Sequence, residues 1–201
     1  MPGLRERKKA ATRAAIHDGA MRLFAEQGFA GTTIDQIAEA ADVSRATVFT
    51  YFPAKEDIVW GEAPQAIAAL DALLRESADA TIPTVRAWLR HATGWLEPRL
   101  ILQRRLARDV PVVGARRVQI LREAEAVIAD ALEREWGAEE HLAARLAAAA
   151  IAAALMVAED AAAQRMERDG RALAPAEIDA VVDDAIAFAE GGLAALRARN
   201  A

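Results

Sequence analysis

The sequence predicts an all-α protein: an N-terminal three-helix helix-turn-helix domain, followed by a larger helical domain. Apolar residues recur at helical spacing, as in Ile16, Ala20, Leu23 and Phe24. Proline and glycine separate the periodic segments, and no alternation of apolar and polar residues indicates a strand. Hydrophobic residues make up 54% and charged residues 27% of the chain, which is typical of a folded domain.

The first two helices are marked by local signals at their ends. The first helix is predicted from about Arg5 to Gln27, because Gly28 can take the left-handed conformation after its last turn. Thr33 then has the position of an N-cap, and Gln36, three residues later, completes a capping box. A tight turn over residues 41–43 ends the second helix.

The third helix is predicted from Ser44, as its N-cap, to Phe52, just before Pro53. Val48 and Phe52 would hold it on the domain. Two short helices joined by about three residues make a helix-turn-helix, whose second helix can enter a major groove about 12 Å wide. The side chains then available to bases and phosphates are Arg45, Thr47, Thr50 and Tyr51.

Longer helices are predicted in the rest of the chain. They are placed at roughly 55–76, 84–97, 99–110, 114–136, 139–168 and 176–198, with Pro64 expected to kink the first of them. This pattern divides the chain into a helix-turn-helix domain at 1–55 and a larger helical domain at 56–201.

Charge is distributed unevenly between these two parts. Residues 1–55 hold 8 Lys+Arg against 6 Asp+Glu, whereas residues 56–201 hold 17 against 24. A basic end on an acidic body favours a polyanion partner at that end alone. The basic segment from Arg5 to Arg13 has two open interpretations: a solvated terminus, or an arm that reaches the DNA backbone or minor groove.

Composition also indicates in which cellular compartment the protein lies and which kinds of site it can form. The chain has no cysteine, so it can form neither a disulfide nor a thiolate metal site. No uncharged apolar run approaches the roughly 18 residues of a membrane span, and the basic N-terminus lacks the apolar stretch of a signal peptide. We therefore expect a cytoplasmic protein without a membrane partner, a cofactor or a metal.

The segment GFAGTTIDQIAEAADVSRATVFTYFPAKEDI, residues 28–58, resembles the N-terminal domain of the TetR/AcrR family of bacterial transcriptional regulators. The resemblance covers roughly Ala14 to Ile58, and residues 59–201 are similar only in the number and length of their helices. The positions at the family spacing are Phe24, Gly28, Thr32, Thr33, Ile37, Ala38, Val43, Ser44, Thr47, Tyr51, Phe52 and Lys55.

The resemblance implies a homodimer with two DNA-binding heads and a C-terminal body that binds an effector. By position, Thr33 and Ser44 would cap their helices and touch phosphates, while Tyr51 and Lys55 would grip the DNA backbone. The residues facing the bases would be Arg45, Ala46, Thr47 and Thr50.

Two positions depart from the family pattern. Phe49 stands where a tyrosine is common, so one phosphate contact through a hydroxyl is in doubt. Asp42 stands where a glycine is common in the turn, and must take a left-handed or nearby conformation, which Asp tolerates better than most residues.

The effector site is expected among large side chains of the second domain: Trp88, His91, Trp95, Leu102, Leu106 and Met156. The alternative is that these residues are plain core. A mainly apolar or amphipathic small molecule would suit such a site.

The last two helices carry apolar and small residues that the resemblance assigns to a dimer interface: Leu142, Leu146, Ala149, Ala150, Ala153, Val157, Ile178, Val181, Val182, Ala185, Phe188 and Ala189. The alternative is that the same helices pack within one subunit.

These features favour a ligand-responsive DNA-binding regulator, with repression suggested by the family alone. The alternative of another class is a helical protein-binding adaptor, against which the basic end and its groove-sized helix argue. An enzyme is disfavoured because His17, His91 and His141 are scattered and no glycine-rich phosphate loop is present.

Overall fold

The computed structural model of the chain describes residues 3–61, 63–91 and 99–200. The described residues are helical or lie in turns and short connections, and none is in a strand, which confirms the all-α prediction. The helices are α1 (Leu4–Gly31), α2 (Ile34–Ala40), α3 (Arg45–Tyr51), α4 (Lys55–Val59), α5 (Ala63–Glu76), α6 (Thr81–His91), α7 (Arg99–Asp109), α8 (Pro111–Trp136), α9 (His141–Asp169) and α10 (Pro175–Asn200).

The chain divides into two compact units. The first consists of Met1–Ala63 together with Arg105–Arg117, and the second of Pro64–Arg104 together with Val118–Ala201. The boundary predicted after residue 55 lies inside the first unit, because α4 packs against α1.

The first three helices lie where the sequence predicts them. Gly28 has φ 76° and ψ 166°, so it interrupts α1 at the predicted end, and one further turn follows as far as Gly31. Thr33 is the N-cap of α2 and Ser44 the N-cap of α3. The capping residues in the sequence were therefore sufficient to predict where α2 and α3 begin.

The single helix predicted at 55–76 is wrong. Gly61 takes the left-handed conformation, with φ 50°, and separates α4 from α5. A Cβ atom at this glycine would lie 2.9 Å from the ring of His17, so the position also lacks room for a side chain. Pro64 does not kink a helix; it is the second residue of α5, where its missing N–H leaves no helical hydrogen bond unmade.

Among the later helices, α6, α8 and α10 begin slightly earlier than predicted. α6 starts at Thr81 with Pro83 in its first turn, and the predicted end of that helix falls outside the described residues. α8 starts at Pro111, which suits the first position of a helix. A 3-10 turn at Ala138–Glu140 precedes α9, and Gly170, with φ 64°, ends it.

α9 and α10 pack along each other in the core of the second unit. Ile151 of α9 and Val182 and Ile186 of α10 are fully buried there. By length and composition alone, the stretch Ala138–Asp169 could cross a membrane, since an 18-residue window within it has a mean hydropathy of 1.8. One such helix is weak evidence for a membrane span, and 33% of that window is buried inside the protein.

A carboxylate fastens the first turn of α10. Glu177 accepts hydrogen bonds from the backbone N–H of Ala174 at 2.8 Å and from both terminal nitrogens of Arg171 at 2.7 and 3.0 Å. Arg165 also pairs with it. The hydrogen bond from Arg171, followed by that from Ala174, lowers the pKa of Glu177 from 4.5 to about 2.

We expect this carboxylate to titrate at about pH 2 in an NMR titration of the folded chain. Because the folded pKa lies below the unfolded one, its contribution to stability is present above about pH 4.5 and is lost as the pH falls toward 2. Glu177→Gln should remove that part of the pH dependence. A midpoint near 4.5 would contradict the hydrogen-bonded geometry.

Candidate nucleic-acid interface

The start of α2 is fixed by a reciprocal capping box. Thr33 Oγ1 accepts a hydrogen bond from the backbone N–H of Gln36 at 3.2 Å, and Gln36 Oε1 accepts one from the N–H of Thr33 at 2.8 Å. Both side chains are exposed. Thr33 is therefore positioned at the protein surface by the cap itself.

The turn between α2 and α3 depends on a left-handed aspartate. Asp42 has φ 51°, as the replacement of the family's glycine required. The following N–H, of Val43, donates to the carbonyl of Ala38 at 2.9 Å, which closes the end of α2. This turn brings α3 against α2.

α3 presents one buried face and one exposed polar face. Val48 and, just past its end, Phe52 are 0% and 1% exposed, so they anchor the helix. Ser44 Oγ accepts from the backbone N–H of Thr47 at 3.0 Å and lies 2.8 Å from the Thr47 hydroxyl. The exposed residues of the segment are Ser44, Arg45, Ala46, Phe49 and Thr50, while Thr47 and Tyr51 are half-buried.

Arg45 is held by two neighbours that the sequence did not identify. Its Nη1 donates to both carboxylate oxygens of Asp35 on α2, at 3.2 and 3.0 Å. Its guanidinium carbon lies 5.7 Å from the centroid of the Phe49 ring. The carboxylate partner of Arg45 is therefore Asp35 of the preceding helix.

Arg13 belongs to the basic segment that could reach DNA, but its guanidinium contacts other residues of the same unit. Its Nη1 donates to the carbonyl of Tyr51 at 2.7 Å and its Nη2 to that of Gly61 at 2.9 Å. Its guanidinium carbon lies 4.1 Å from the centroid of the Phe52 ring. The cations left exposed near this end of α1 are Arg5, Arg7, Lys8 and Lys9.

Lys55 is also occupied within the protein. Its Nζ donates to the carbonyls of Phe29 at 2.7 Å and Thr32 at 2.9 Å, and lies 4.2 Å from the centroid of the Phe29 ring. Burial lowers the pKa of Lys55 below its ordinary value of 10.5, opposed by Glu56. An ammonium group has three donors, so one remains for a phosphate.

A further part of the chain belongs to this unit. Arg116 Nε donates to Asp57 at 2.6 Å, and the indole N–H of Trp60 donates to the carbonyl of Val113 at 3.3 Å. The start of α8 is therefore tied to α4. Nothing in the local sequence of either segment indicates this pairing.

The described side chains among the expected effector residues are divided between the two units. Leu106 belongs to the first unit, while Trp88, Leu102 and Met156 belong to the second, where Trp88 packs on the core. Trp95 and the side chain of His91 lie outside the described residues. A groove of about 400 Å³ in the second unit contains none of the six and is lined by Ala80, Ile82, Pro83, Glu135, Trp136, Glu190, Leu193, Ala194 and Arg197.

Residues 16–59 match the sequence model of the bacterial regulatory proteins of the tetR family. The transcriptional regulator TcmR of Streptomyces glaucescens is 46% identical over 57 residues, or 28% of this chain and 25% of TcmR. The transcriptional repressor AcnR of Corynebacterium diphtheriae is 29% identical over 111 residues, or 54% of this chain and 57% of AcnR. The chain thus spans only part of the length of these relatives.

Solved structures extend the likeness of fold beyond the first unit. The fatty acid degradation regulator FadR of Bacillus halodurans has a TM-score of 0.59 at 20% identity, covering 89% of this chain and 98% of FadR. FadR of Thermus thermophilus, a TetR-family repressor solved with lauroyl-CoA, has a TM-score of 0.51 at 24% identity, covering 88% and 92%. At these identities the likeness establishes the all-α fold.

Replacing Lys55 with methionine should destabilise the first unit by about 1–3 kcal/mol, because two buried carbonyls lose a charged donor. Native-state hydrogen exchange of amides in α1 and α2 would measure the loss. Lys9→Met, on the exposed part of α1, is the control. If the amides of α1 and α2 exchange equally slowly in both variants, Lys55 does not stabilise these helices through its two carbonyl contacts.

Proposed function

We propose that this chain, whose residues 16–59 match the sequence model of the tetR family, belongs to that family and is a dimeric, ligand-responsive transcriptional repressor that binds operator DNA in the bacterial cytoplasm. The observation that carries the proposal is the exposed face of α3, held outward by the buried Val48 and Phe52. A helix fixed in this way can enter a major groove and read base edges.

The DNA contacts follow from the exposed positions of that face. Arg45, Ala46, Thr47 and Thr50 would meet bases, while Thr33, Ser44 and Tyr51 would meet phosphates near the two helix starts and the end of α3. Lys55 would contribute its one remaining donor to the backbone. Thr50 also donates its hydroxyl to the carbonyl of Ala46 at 3.0 Å, which leaves its methyl group and oxygen for the groove.

The operator should be found by selecting duplexes from genomic DNA with the purified chain and measuring affinity against salt. Arg45→Ala should weaken the free energy of operator binding by about 1–3 kcal/mol, with the effect confined to one base position, because a bidentate contact with guanine is lost. Arg134→Ala, an exposed arginine of the second unit, is the control for charge alone. Binding to protein partners without salt-dependent duplex binding would favour the adaptor instead.

A homodimer is proposed through the outer faces of α9 and α10. Leu142, Leu146 and Val157 are 66%, 48% and 64% exposed on one face of α9, and Phe188 of α10 is 73% exposed. Contiguous exposed apolar residues of this size mark an interaction surface. Part of the stripe expected from the sequence lies instead in the core of one subunit: Ile178, Val182, Ala185 and Ala189.

Phe188→Glu should convert the dimer to a monomer, because it replaces a 73% exposed aromatic ring of the proposed interface with a charge. Sedimentation equilibrium would measure the change, and operator affinity should fall with it. Leu73→Glu alters a partly exposed leucine on α5 and should leave the dimer intact. A dimer that persists in Phe188→Glu would place the interface elsewhere.

The effector is proposed to be an apolar or amphipathic small molecule bound by the second unit. The complex of Thermus thermophilus FadR with lauroyl-CoA supports an amphipathic ligand. Trp88, Leu102 and Met156 remain the proposed lining, with His91, Trp95 and Leu106 as the other candidates. Release from DNA requires that the effector bind one conformation better, with a coupling free energy of about 1–3 kcal/mol.

A further inference from the structure

Asp35 holds the guanidinium of Arg45 by one end only. Both carboxylate oxygens, at 3.2 and 3.0 Å, accept from Nη1. Within the part of the chain that the structure describes, neither Nε nor Nη2 of Arg45 donates a hydrogen bond. The opposite edge of the guanidinium therefore keeps its parallel pair of N–H donors.

That remaining edge has the geometry that guanine requires. Two parallel donors match the O6 and N7 acceptors of guanine in the major groove, the commonest specific pairing of arginine with DNA. A free arginine side chain loses about 2 kcal/mol of rotamer entropy when it is fixed. Because Asp35 already orients the guanidinium, Arg45 loses less rotamer entropy when it binds guanine, the base that its remaining edge fits.

The Phe49 ring limits the guanidinium further. It is 41% exposed on α3, one turn after Arg45, and the guanidinium carbon is 5.7 Å from its centroid. Arg45 thus has Asp35 of α2 on one side and an aromatic ring of its own helix nearby. Phe49, which lacks the hydroxyl common at this position, acts here on the arginine rather than on a phosphate.

Asp35 also carries a charge unfavourable to DNA. Its side chain is 68% exposed, and a carboxylate beside the groove disfavours every duplex complex in which no base contact compensates for it. The exposed ion pair itself contributes little to folding, since such pairs are typically worth about 0–1 kcal/mol. Stabilisation of the first unit therefore does not explain the ion pair between Asp35 and Arg45.

From these contacts we infer that Asp35 is a specificity-determining residue: it positions Arg45 for guanine and lowers affinity for other sequences. This inference rests on the proposed DNA-binding function. Asp35 touches no base itself and acts through Arg45.

The test compares Asp35→Asn with Glu39→Gln, which removes an exposed carboxylate from the same short helix without touching Arg45. Arg45→Ala first identifies the base position at which discrimination is lost. Affinities are then measured for the selected operator and for operators substituted at that position. Asp35→Asn should reduce the preference for guanine by about three- to tenfold. Glu39→Gln should leave that preference unchanged, although both variants gain affinity for random duplex through the lost charge.

A double variant separates positioning from charge. On the Arg45→Ala background, Asp35→Asn should have no further effect on base preference. The inference is overturned if Asp35→Asn retains the wild-type preference for guanine, or if it alters base preference equally without Arg45. If the wild-type chain selects no duplex at all, the proposed function fails as well; if it selects an operator and only the Asp35 effect is missing, the inference alone fails.

Discussion

The guanidinium of Arg13 holds the end of α3, and the arrangement of the first unit depends on it. α3 has seven residues, too few to be stable as an isolated helix. Ser44 caps its start, while Arg13 donates to the carbonyl of Tyr51 near its end, at 2.7 Å, and stacks on Phe52. Because the same side chain also binds the carbonyl of Gly61, one cation joins α1 to the ends of both α3 and α4.

Arg13 and Lys55 together explain why the number of basic residues overstates the charge available to DNA. The resemblance implies a DNA contact for Lys55, and the basic segment that ends at Arg13 was open to the same interpretation. Both side chains donate to backbone carbonyls near helix ends. A buried carbonyl without a donor is costly, so the fold uses the nearest cations for this purpose.

The parts of the interface that the sequence predicted are those fixed by neighbours in the chain. Thr33 with Gln36, and Ser44 with Thr47, are pairs three residues apart, and their residue types alone indicate a cap. The contact of Arg13 with Tyr51 spans 38 residues, and no local pattern contains it. The break at Gly61 was missed for the same reason, because the steric demand comes from the distant His17 ring.

In the second unit, ion pairs join α10 to α6. Arg86 and Arg90 of α6 bind acidic residues of α10, with Arg90 2.6 Å from Asp183 and Arg86 2.8 Å from Glu190. On the same helix Val182 is buried in the core, whereas Phe188 is 73% exposed. Helical periodicity identified both residues as apolar, but it could not assign them to different surfaces, since small and apolar residues occupy several faces of this helix.

The same charge distribution favours selectivity over strong general affinity for DNA. The second part of the chain carries 24 acidic residues against 17 basic ones, so it repels a duplex. In the first unit, Arg13 and Lys55 are engaged with carbonyls and Arg45 with Asp35. Non-specific binding scales with the number of phosphates neutralised, and the exposed cations of α1 that could serve it include Arg5, Arg7, Lys8 and Lys9. In the proposed repressor, selectivity would therefore come from base contacts and from two heads acting on one operator, so dimerisation and the orientation of Arg45 would serve the same requirement.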